Sequence, residues 1–160
     1  MRLPALLLAT ALAAALVPSA RAQGTVFVSS EKDHALAVLD LKTLAVTGTV
    51  PTCKRPRHIA RTPDGKQLIV ACGESNQADF IDLATRKSVR RMPLGDDPEA
   101  FDLSPDGKSL YVTNEDEGAL SFVDLAAGKV TKNVEVGKEP EGVKVSPDGK
   151  TVWVTSEAAS

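Results

Sequence analysis

The fold of this chain is decided by the segment Ser104-Pro105-Asp106-Gly107-Lys108-Ser109-Leu110-Tyr111-Val112-Thr113-Asn114. It joins a Pro-Asp-Gly turn to a short run rich in large apolar side chains. The Asp-Gly pair suits the positive φ of a tight hairpin. Alternation of apolar and polar residues is typical of a β-strand with one buried face. The segment therefore predicts a hairpin turn followed by a strand.

The same turn recurs every 42 residues along the chain. Its other copies are Thr62-Pro63-Asp64-Gly65-Lys66 and Ser146-Pro147-Asp148-Gly149-Lys150. A series of apolar triplets keeps the register at Val26–Val28, Leu68–Val70, Leu110–Val112 and Val152–Val154. So does a series centred on aspartate, at Asp40, Asp82 and Asp124. Three series with one spacing indicate an internal repeat, with units 25–66, 67–108 and 109–150 and the start of a fourth at 151–160.

Each unit is interpreted as four short strands. In the third unit, for example, 119–125 and 129–136 form the strands that follow the 110–112 strand. Four antiparallel strands in about 42 residues make one blade of a β-propeller. Helical repeats need longer runs with apolar residues at 3.6-residue spacing, and Pro and Gly interrupt every long window. The sequence therefore predicts an all-β fold of β-propeller blades, each with four antiparallel strands.

The strand count predicts about three and a quarter blades. The units supply three, four, four and two strands, because the first unit opens with the second strand of a blade. Propellers close with about four to eight blades. We therefore expect the chain to be the N-terminal part of a seven-bladed propeller whose missing first strand comes from a more distant C-terminus.

The two aspartate series are explained by architecture. The Asp-Gly turns lack the further oxygen ligands and the terminal Glu of a calcium-binding loop, so turn formation accounts for them. Asp40, Asp82 and Asp124 lie just before the next turn, where a carboxylate can accept backbone N–H groups and stabilise the bend.

Residues 1–22 have the pattern of a cleaved signal peptide. Met1 and Arg2 precede an apolar run of Leu and Ala that ends at Val17, and Ala20-Arg21-Ala22 forms a cleavage site. A membrane anchor needs roughly 20 apolar residues, and this run is shorter. We therefore expect export to the periplasm without a membrane anchor after cleavage, and a mature partial β-propeller domain over 23–160.

The charge of the chain disfavours nucleic acid as a partner. The sequence has 19 lysines and arginines against 21 aspartates and glutamates, a net charge of −2, with no basic run. Removal of the signal peptide takes Arg2 and Arg21 away and makes the chain more acidic. An acidic domain of this kind is a poor binder of polyanions.

The repeats resemble the YVTN family of bacterial β-propellers. Tyr111-Val112-Thr113-Asn114 carries the family motif. The chain is also similar to the pyrroloquinoline-quinone-dependent catabolism-associated β-propeller proteins. That similarity rests on four further segments in combination: Val26 to Glu31, Lys54-Arg55-Pro56-Arg57, Asp97-Pro98-Glu99 and Glu139-Pro140-Glu141-Gly142. That resemblance implies about seven blades and association with periplasmic quinoprotein dehydrogenases or cytochromes. It implies no catalytic residues.

Two further repeat positions form a candidate binding site on the channel face. Arg57, Glu99 and Glu141 are equivalent in the 42-residue register, and so are Glu31, Glu115 and Glu157, a series that Gly73 interrupts. Close carboxylates repel and raise one another's pKa unless a cation lies among them. A Ca²⁺ ion or a cationic ligand would relieve that repulsion. The alternative is that these are solvated loop residues that were copied by duplication and bind no cofactor. The residues alone do not identify a metal.

Cys53 and Cys72 are placed on the same face. If Asp64-Gly65 forms the hairpin turn, Arg57 lies opposite Cys72 and Cys53 is close by in the loop. Export favours a disulfide between the two. Two unpaired thiols are the alternative, and a zinc site with His58 is disfavoured because structural zinc takes four ligands.

These observations favour an exported, non-catalytic binding or accessory propeller, associated through the resemblance with a quinoprotein alcohol-oxidation system. One alternative is a metal-dependent lactonase-type hydrolase that uses a channel carboxylate. A second is a propeller that binds single-stranded DNA, which the acidic charge and the 4% aromatic content disfavour.

Overall fold

A computed structural model describes residues 24–158, which form thirteen β-strands and, within that range, no α-helix. The strands are β1 (Thr25–Ser30), β2 (Ala35–Asp40), β3 (Val46–Pro51), β4 (Pro56–Arg61), β5 (Gln67–Cys72), β6 (Gln77–Asp82), β7 (Lys87–Pro93), β8 (Pro98–Leu103), β9 (Ser109–Asn114), β10 (Ala119–Asp124), β11 (Lys129–Glu135), β12 (Pro140–Val145) and β13 (Val152–Ser156). A 3₁₀ turn, Gly73–Ser75, follows β5.

The strands form four antiparallel sheets, which are propeller blades. Blade 1 has the order β1-β2-β3, blade 2 β4-β5-β6-β7, blade 3 β8-β9-β10-β11 and blade 4 β12-β13. The innermost strands lie side by side, since β8 contacts both β4 and β12. The predicted all-β fold is confirmed, as is the predicted distribution of three, four, four and two strands among the blades.

Apolar side chains fill the spaces between blades. Strand β5, Gln67-Leu68-Ile69-Val70-Ala71-Cys72, has five buried residues. Because successive side chains of a strand point to opposite faces, Leu68 belongs to a core with Leu36 of blade 1, whereas Ile69 belongs to a core with Phe101 of blade 3. Burial on both faces explains why this strand is a continuous apolar run rather than an alternating one.

Each Pro-Asp-Gly turn is closed by its own aspartate. Ser104 Oγ donates a hydrogen bond to Asp106 Oδ1 over 2.6 Å, and the Lys108 N–H donates to the same oxygen over 3.1 Å. Gly107 has a φ of 69°, and only the glycine of the Asp-Gly pair takes a positive φ. The other two copies share these contacts. The carboxylates therefore act in the turns, as predicted.

The second aspartate series stabilises the next bend. Asp82 Oδ1 accepts the N–H and the hydroxyl of Thr85, each over 2.8 Å. Asp124 Oδ1 accepts the N–H groups of Ala126 and Ala127, again over 2.8 Å. The hydroxyl and N–H of Thr85 lower the pKa of Asp82, because these hydrogen bonds favour the ionised carboxylate. The predicted role of these aspartates is confirmed.

The predicted signal peptide, residues 1–22, lies outside the described residues. Across 24–158, no helix has the length and apolar character needed to cross a membrane.

Candidate functional site

The innermost strands β4, β8 and β12 each begin with a β-bulge next to a charged residue. The ladder between β4 and β5 pairs Pro56 with Cys72 and then shifts register, so that Arg57 falls outside the regular pairing. The same irregularity in β8 and β12 affects the equivalent residues Glu99 and Glu141. The expected pairing of Arg57 with Cys72 is therefore wrong, because the bulge inserts an extra residue into the inner strand.

The loops that enter the innermost strands share an unusual backbone conformation. The residue before the proline has a positive φ in all three copies, 57° at Arg55, 48° at Asp97 and 50° at Glu139. Left-handed backbone is uncommon outside glycine and costs on the order of 1 kcal/mol. In each copy the carbonyl of this residue accepts an N–H from the loop that leaves the second strand: those of Gly73 and Glu115 over 2.9 Å, and that of Glu157 over 3.0 Å. One hydrogen bond per blade thus joins the two loops on which the candidate residues lie.

Arg57 connects two of the predicted carboxylates. Its Nη1 donates to both carboxylate oxygens of Glu31, each over 3.1 Å. Its Nη2 forms an ion pair with Oε2 of Glu99, whose side chain is only 3% exposed. Together with Glu141 these residues line a shallow depression of about 340 Å³.

Arg55 forms a second set of ion pairs beside the first. Its Nη1 lies 2.8 Å from Oδ2 and 3.1 Å from Oδ1 of Asp97. Its Nε lies 3.5 Å from Oε2 of Glu31, and its Nη2 lies 3.6 Å from Oε1 of Glu99. Burial opposes the charge of Arg55, but the attraction of Asp97 and Glu31 outweighs it, and the pKa of Arg55 is raised.

Gly73 explains why the glutamate series is interrupted. A Cβ atom at this position would lie 2.3 Å from Oδ1 of Asp97 and 3.3 Å from Cδ of Arg55. The Arg55–Asp97 pair therefore occupies the space that a side chain at position 73 would need. A side chain at position 73 would have to displace the carboxylate of Asp97.

The remaining carboxylates, Glu115, Glu141 and Glu157, act on one another electrostatically. Burial, followed by repulsion from Glu157, raises the pKa of Glu141 above its ordinary value, and repulsion from Glu115 acts in the same direction. Attraction to Arg57 offsets only part of this effect. The expected mutual repulsion of the channel carboxylates is thus present at Glu141.

The structure brings all six predicted residues into one group and adds two more. We call this group the rim cluster; its members are Glu31, Arg55, Arg57, Asp97, Glu99, Glu115, Glu141 and Glu157. Sequence reasoning missed Arg55 and Asp97, although they are 42 residues apart and could have been found as a further equivalent pair. Six carboxylates against two guanidinium groups leave the rim cluster strongly negative, so the arrangement is suited to binding cations or positively charged surfaces.

Cys53 and Cys72 form a disulfide that joins the same two loops in blade 2. Their Cα atoms lie 5.8 Å apart, and 19 residues separate them in sequence. The Cys53 N–H donates over 3.0 Å to Oδ2 of Asp79, which is fully buried. Cys53 lies two residues before Arg55 and Cys72 immediately before Gly73, so the bond holds the loop that carries Arg55 against the end of β5.

The family of the chain is decided by a match to a family model. A model described as YNCE-like beta-propeller matches residues 2–95 and 75–151. The chain belongs to the YNCE-like β-propeller family. No curated protein gives a significant match.

A solved structure supports the same architecture for this YNCE-like propeller. A chain of Kuenenia stuttgartiensis hydrazine synthase superposes with a TM-score of 0.73 at 29% sequence identity. The match covers 84% of the present chain and 40% of the hydrazine synthase chain. The present chain therefore spans less than half of the length of that relative.

Proposed function

We propose that this YNCE-like propeller is an exported, non-catalytic binding protein that uses the rim cluster to hold a positively charged ligand or partner surface. The observation that carries the proposal is the excess of carboxylates over guanidinium groups in the rim cluster, where burial and repulsion from Glu157 and Glu115 raise the pKa of Glu141 despite the attraction of Arg57 and Arg55. Repulsion among the carboxylates is relieved when a positive group binds. The same negative charge supports the expectation that nucleic acid is not a partner.

We further propose that the partner is a periplasmic quinoprotein dehydrogenase or cytochrome of an alcohol-oxidation system. The support is the similarity of the loop motifs around Arg55, Asp97 and Glu139 to pyrroloquinoline-quinone-associated propellers. A similar propeller fold occurs in a chain of hydrazine synthase, a protein that is named as an enzyme.

Binding is tested by applying periplasmic extract from the same source to the immobilised chain and identifying the captured protein. Glu115→Lys with Glu157→Lys should abolish capture of a quinoprotein or cytochrome, identified by its mass and by quinone or haem absorbance. Glu135→Lys, an exposed change on β11 outside the rim cluster, is the matched control and should retain capture. Equal capture by all three proteins, or by none, would contradict the proposal, as would lactone hydrolysis that a chelator abolishes.

Export is tested separately by intact mass of the periplasmic product. We expect the mature chain to begin at Gln23. A periplasmic product that retains Met1, or a product confined to the cytoplasm, would contradict export.

A further inference from the structure

One buried oxygen in the rim cluster has no hydrogen-bond partner. The side chain of Glu99 is 3% exposed, and its Oε2 is paired with Arg57. Its Oε1 is buried and accepts no hydrogen bond from the described residues. Nη2 of Arg55 lies 3.6 Å from it, beyond hydrogen-bond distance. A buried carboxylate oxygen left without a partner is unfavourable, and such a group indicates a missing ion or water.

Glu99 is also one of three carboxylates that have the spacing of a metal site. Asp97, Glu99 and Glu115 each offer one carboxylate oxygen, and the three atoms lie within 4.8 Å of one another. Oxygens bound to one Ca²⁺ at about 2.4 Å can be at most about 4.8 Å apart. The acidic triplet, Asp97, Glu99 and Glu115, therefore fits around a single ion without rearrangement of its backbone.

The backbone of the acidic triplet is already organised. Asp97 and Glu99 belong to the segment that enters β8, and Glu115 follows β9. The Glu115 N–H donates to the carbonyl of Asp97 over 2.9 Å, which fixes the two loops against each other. Only oxygen ligands are offered, and two cysteines that could supply soft ligands are bonded to each other. This donor set favours a hard cation that accepts carboxylates and water.

We propose that Asp97, Glu99 and Glu115 bind a Ca²⁺ ion at the channel rim, in competition with the guanidinium group of Arg55. Arg55 already neutralises Asp97 and approaches the free oxygen of Glu99, so it acts as an internal cation that the ion must displace in part. The competition makes the affinity moderate, in the range of about 10⁻⁴ to 10⁻³ M that is typical of extracellular calcium modules.

The proposal goes beyond the binding role proposed above and does not depend on it. It rests on the free oxygen of Glu99 and the spacing of three carboxylates. If no dehydrogenase is captured, the calcium titration still tests the metal site. If no calcium binds, the capture experiment still tests the binding role.

The test is a calorimetric titration of the mature chain, stripped with chelator, with CaCl₂ alone at about 0.15 M salt, where the screening length is about 8 Å. We expect one saturable site. Glu115→Gln should weaken it about tenfold or more, because it removes one charged ligand. The Glu115 side chain makes no ion pair with the other described residues, so this variant should keep its fold, which circular dichroism checks.

Two further variants separate a built site from general attraction to negative charge. Glu135→Gln removes a carboxylate from the acidic depression of about 400 Å³ that Glu115 also lines. Because Glu135 is not one of the three ligands, this variant should leave the dissociation constant within about twofold. Arg55→Gln should tighten binding several-fold. No saturable uptake by the wild-type chain, equal weakening by Glu115→Gln and Glu135→Gln, or weaker binding in Arg55→Gln would overturn the proposal.

Discussion

Arg55 and Asp97 occupy the same position in two successive repeats, and they pair with each other across the boundary between blades 2 and 3. They are 42 residues apart, and Nη1 of Arg55 lies 2.8 Å from Oδ2 of Asp97. Both residues have a positive φ and precede a proline. One repeat position has thus acquired opposite charges in adjacent blades, and the resulting ion pair joins the two blades at the rim.

Gly73 is predicted to be required by this pair. Gly73→Ala places a Cβ atom 2.3 Å from Oδ1 of Asp97, so the carboxylate must move away from Arg55. We expect the free energy of unfolding to fall by about 1–3 kcal/mol, as for other overpacked sites. Gly48→Ala is the control, because a Cβ there has no atom within 4 Å. Urea denaturation measures both.

A double-mutant cycle tests whether the effect passes through Asp97. In an Asp97→Ala background, Gly73→Ala should have little further effect, because the side chain that it displaces is gone. Additive losses would mean that position 73 acts through the backbone instead.

Arg57 is predicted to stabilise the fold through Glu99. Arg57→Met leaves the carboxylate of Glu99, 3% exposed, with only the more distant Arg55, 3.6 Å away, as a charge partner. Removal of one member of a buried pair costs about 3 kcal/mol. The double variant Arg57→Met with Glu99→Leu should recover most of that loss, since it removes both charges together.

The control for this prediction is an exposed ion pair. Lys150 is 82% exposed and its Nζ lies 4.0 Å from Asp148, so Lys150→Met should change stability by less than about 1 kcal/mol. Chemical denaturation gives the comparison. An equal loss in Arg57→Met and Lys150→Met would refute the role of Arg57.

The sequence predicts the blades well because their signals are local and repeated. Turn residues such as Asp106 and Gly107 determine their own hairpins, and alternation determines which side of a strand is buried. Equivalence in the register is enough to place Arg57, Glu99 and Glu141 on one rim. None of these inferences requires knowledge of how two blades are oriented.

The contacts between blades could not be predicted in the same way. The Arg55–Asp97 pair depends on the left-handed loops and on the angle between neighbouring blades, which no single repeat encodes. The bulge that pairs Pro56, rather than Arg57, with Cys72 also escapes a count of residues from the turn. Gly73 leaves room for the Arg55–Asp97 pair because it has no side chain. In the sequence it is visible only as an interruption of the glutamate series.

The disulfide is predicted to stabilise the chain by about 3 kcal/mol. Cys53 and Cys72 are 19 residues apart, and closing a loop of this size restricts the unfolded chain by about that amount. Urea denaturation with and without a reductant should show the loss. A variant with alanine at both positions should show no dependence on reductant, and equal midpoints for the wild-type chain under both conditions would contradict the prediction.

Glu141 is predicted to make stability depend on pH in the direction opposite to Asp102. Burial and the repulsion of Glu157 raise the pKa of Glu141, so the folded state binds this proton more tightly than the unfolded state does. Stability therefore falls as the pH rises from the ordinary pKa of 4.5 towards the raised value. Glu141→Gln should be more stable than the wild-type chain at neutral pH, and the difference should vanish in acid.

Asp102 provides the matched comparison. Burial acts against its charge, but the ammonium of Lys144, with Nζ 2.8 Å from Oδ2, and the N–H of Val145 lower its pKa. Its contribution to stability is therefore present above the ordinary pKa of 3.8 and is lost as the pH falls through the lowered value. Asp102→Asn should destabilise the chain at neutral pH and converge with the wild-type chain in acid. Denaturation at several pH values with chelator present measures both slopes, and slopes of the same sign would show that the rim carboxylates do not repel as described.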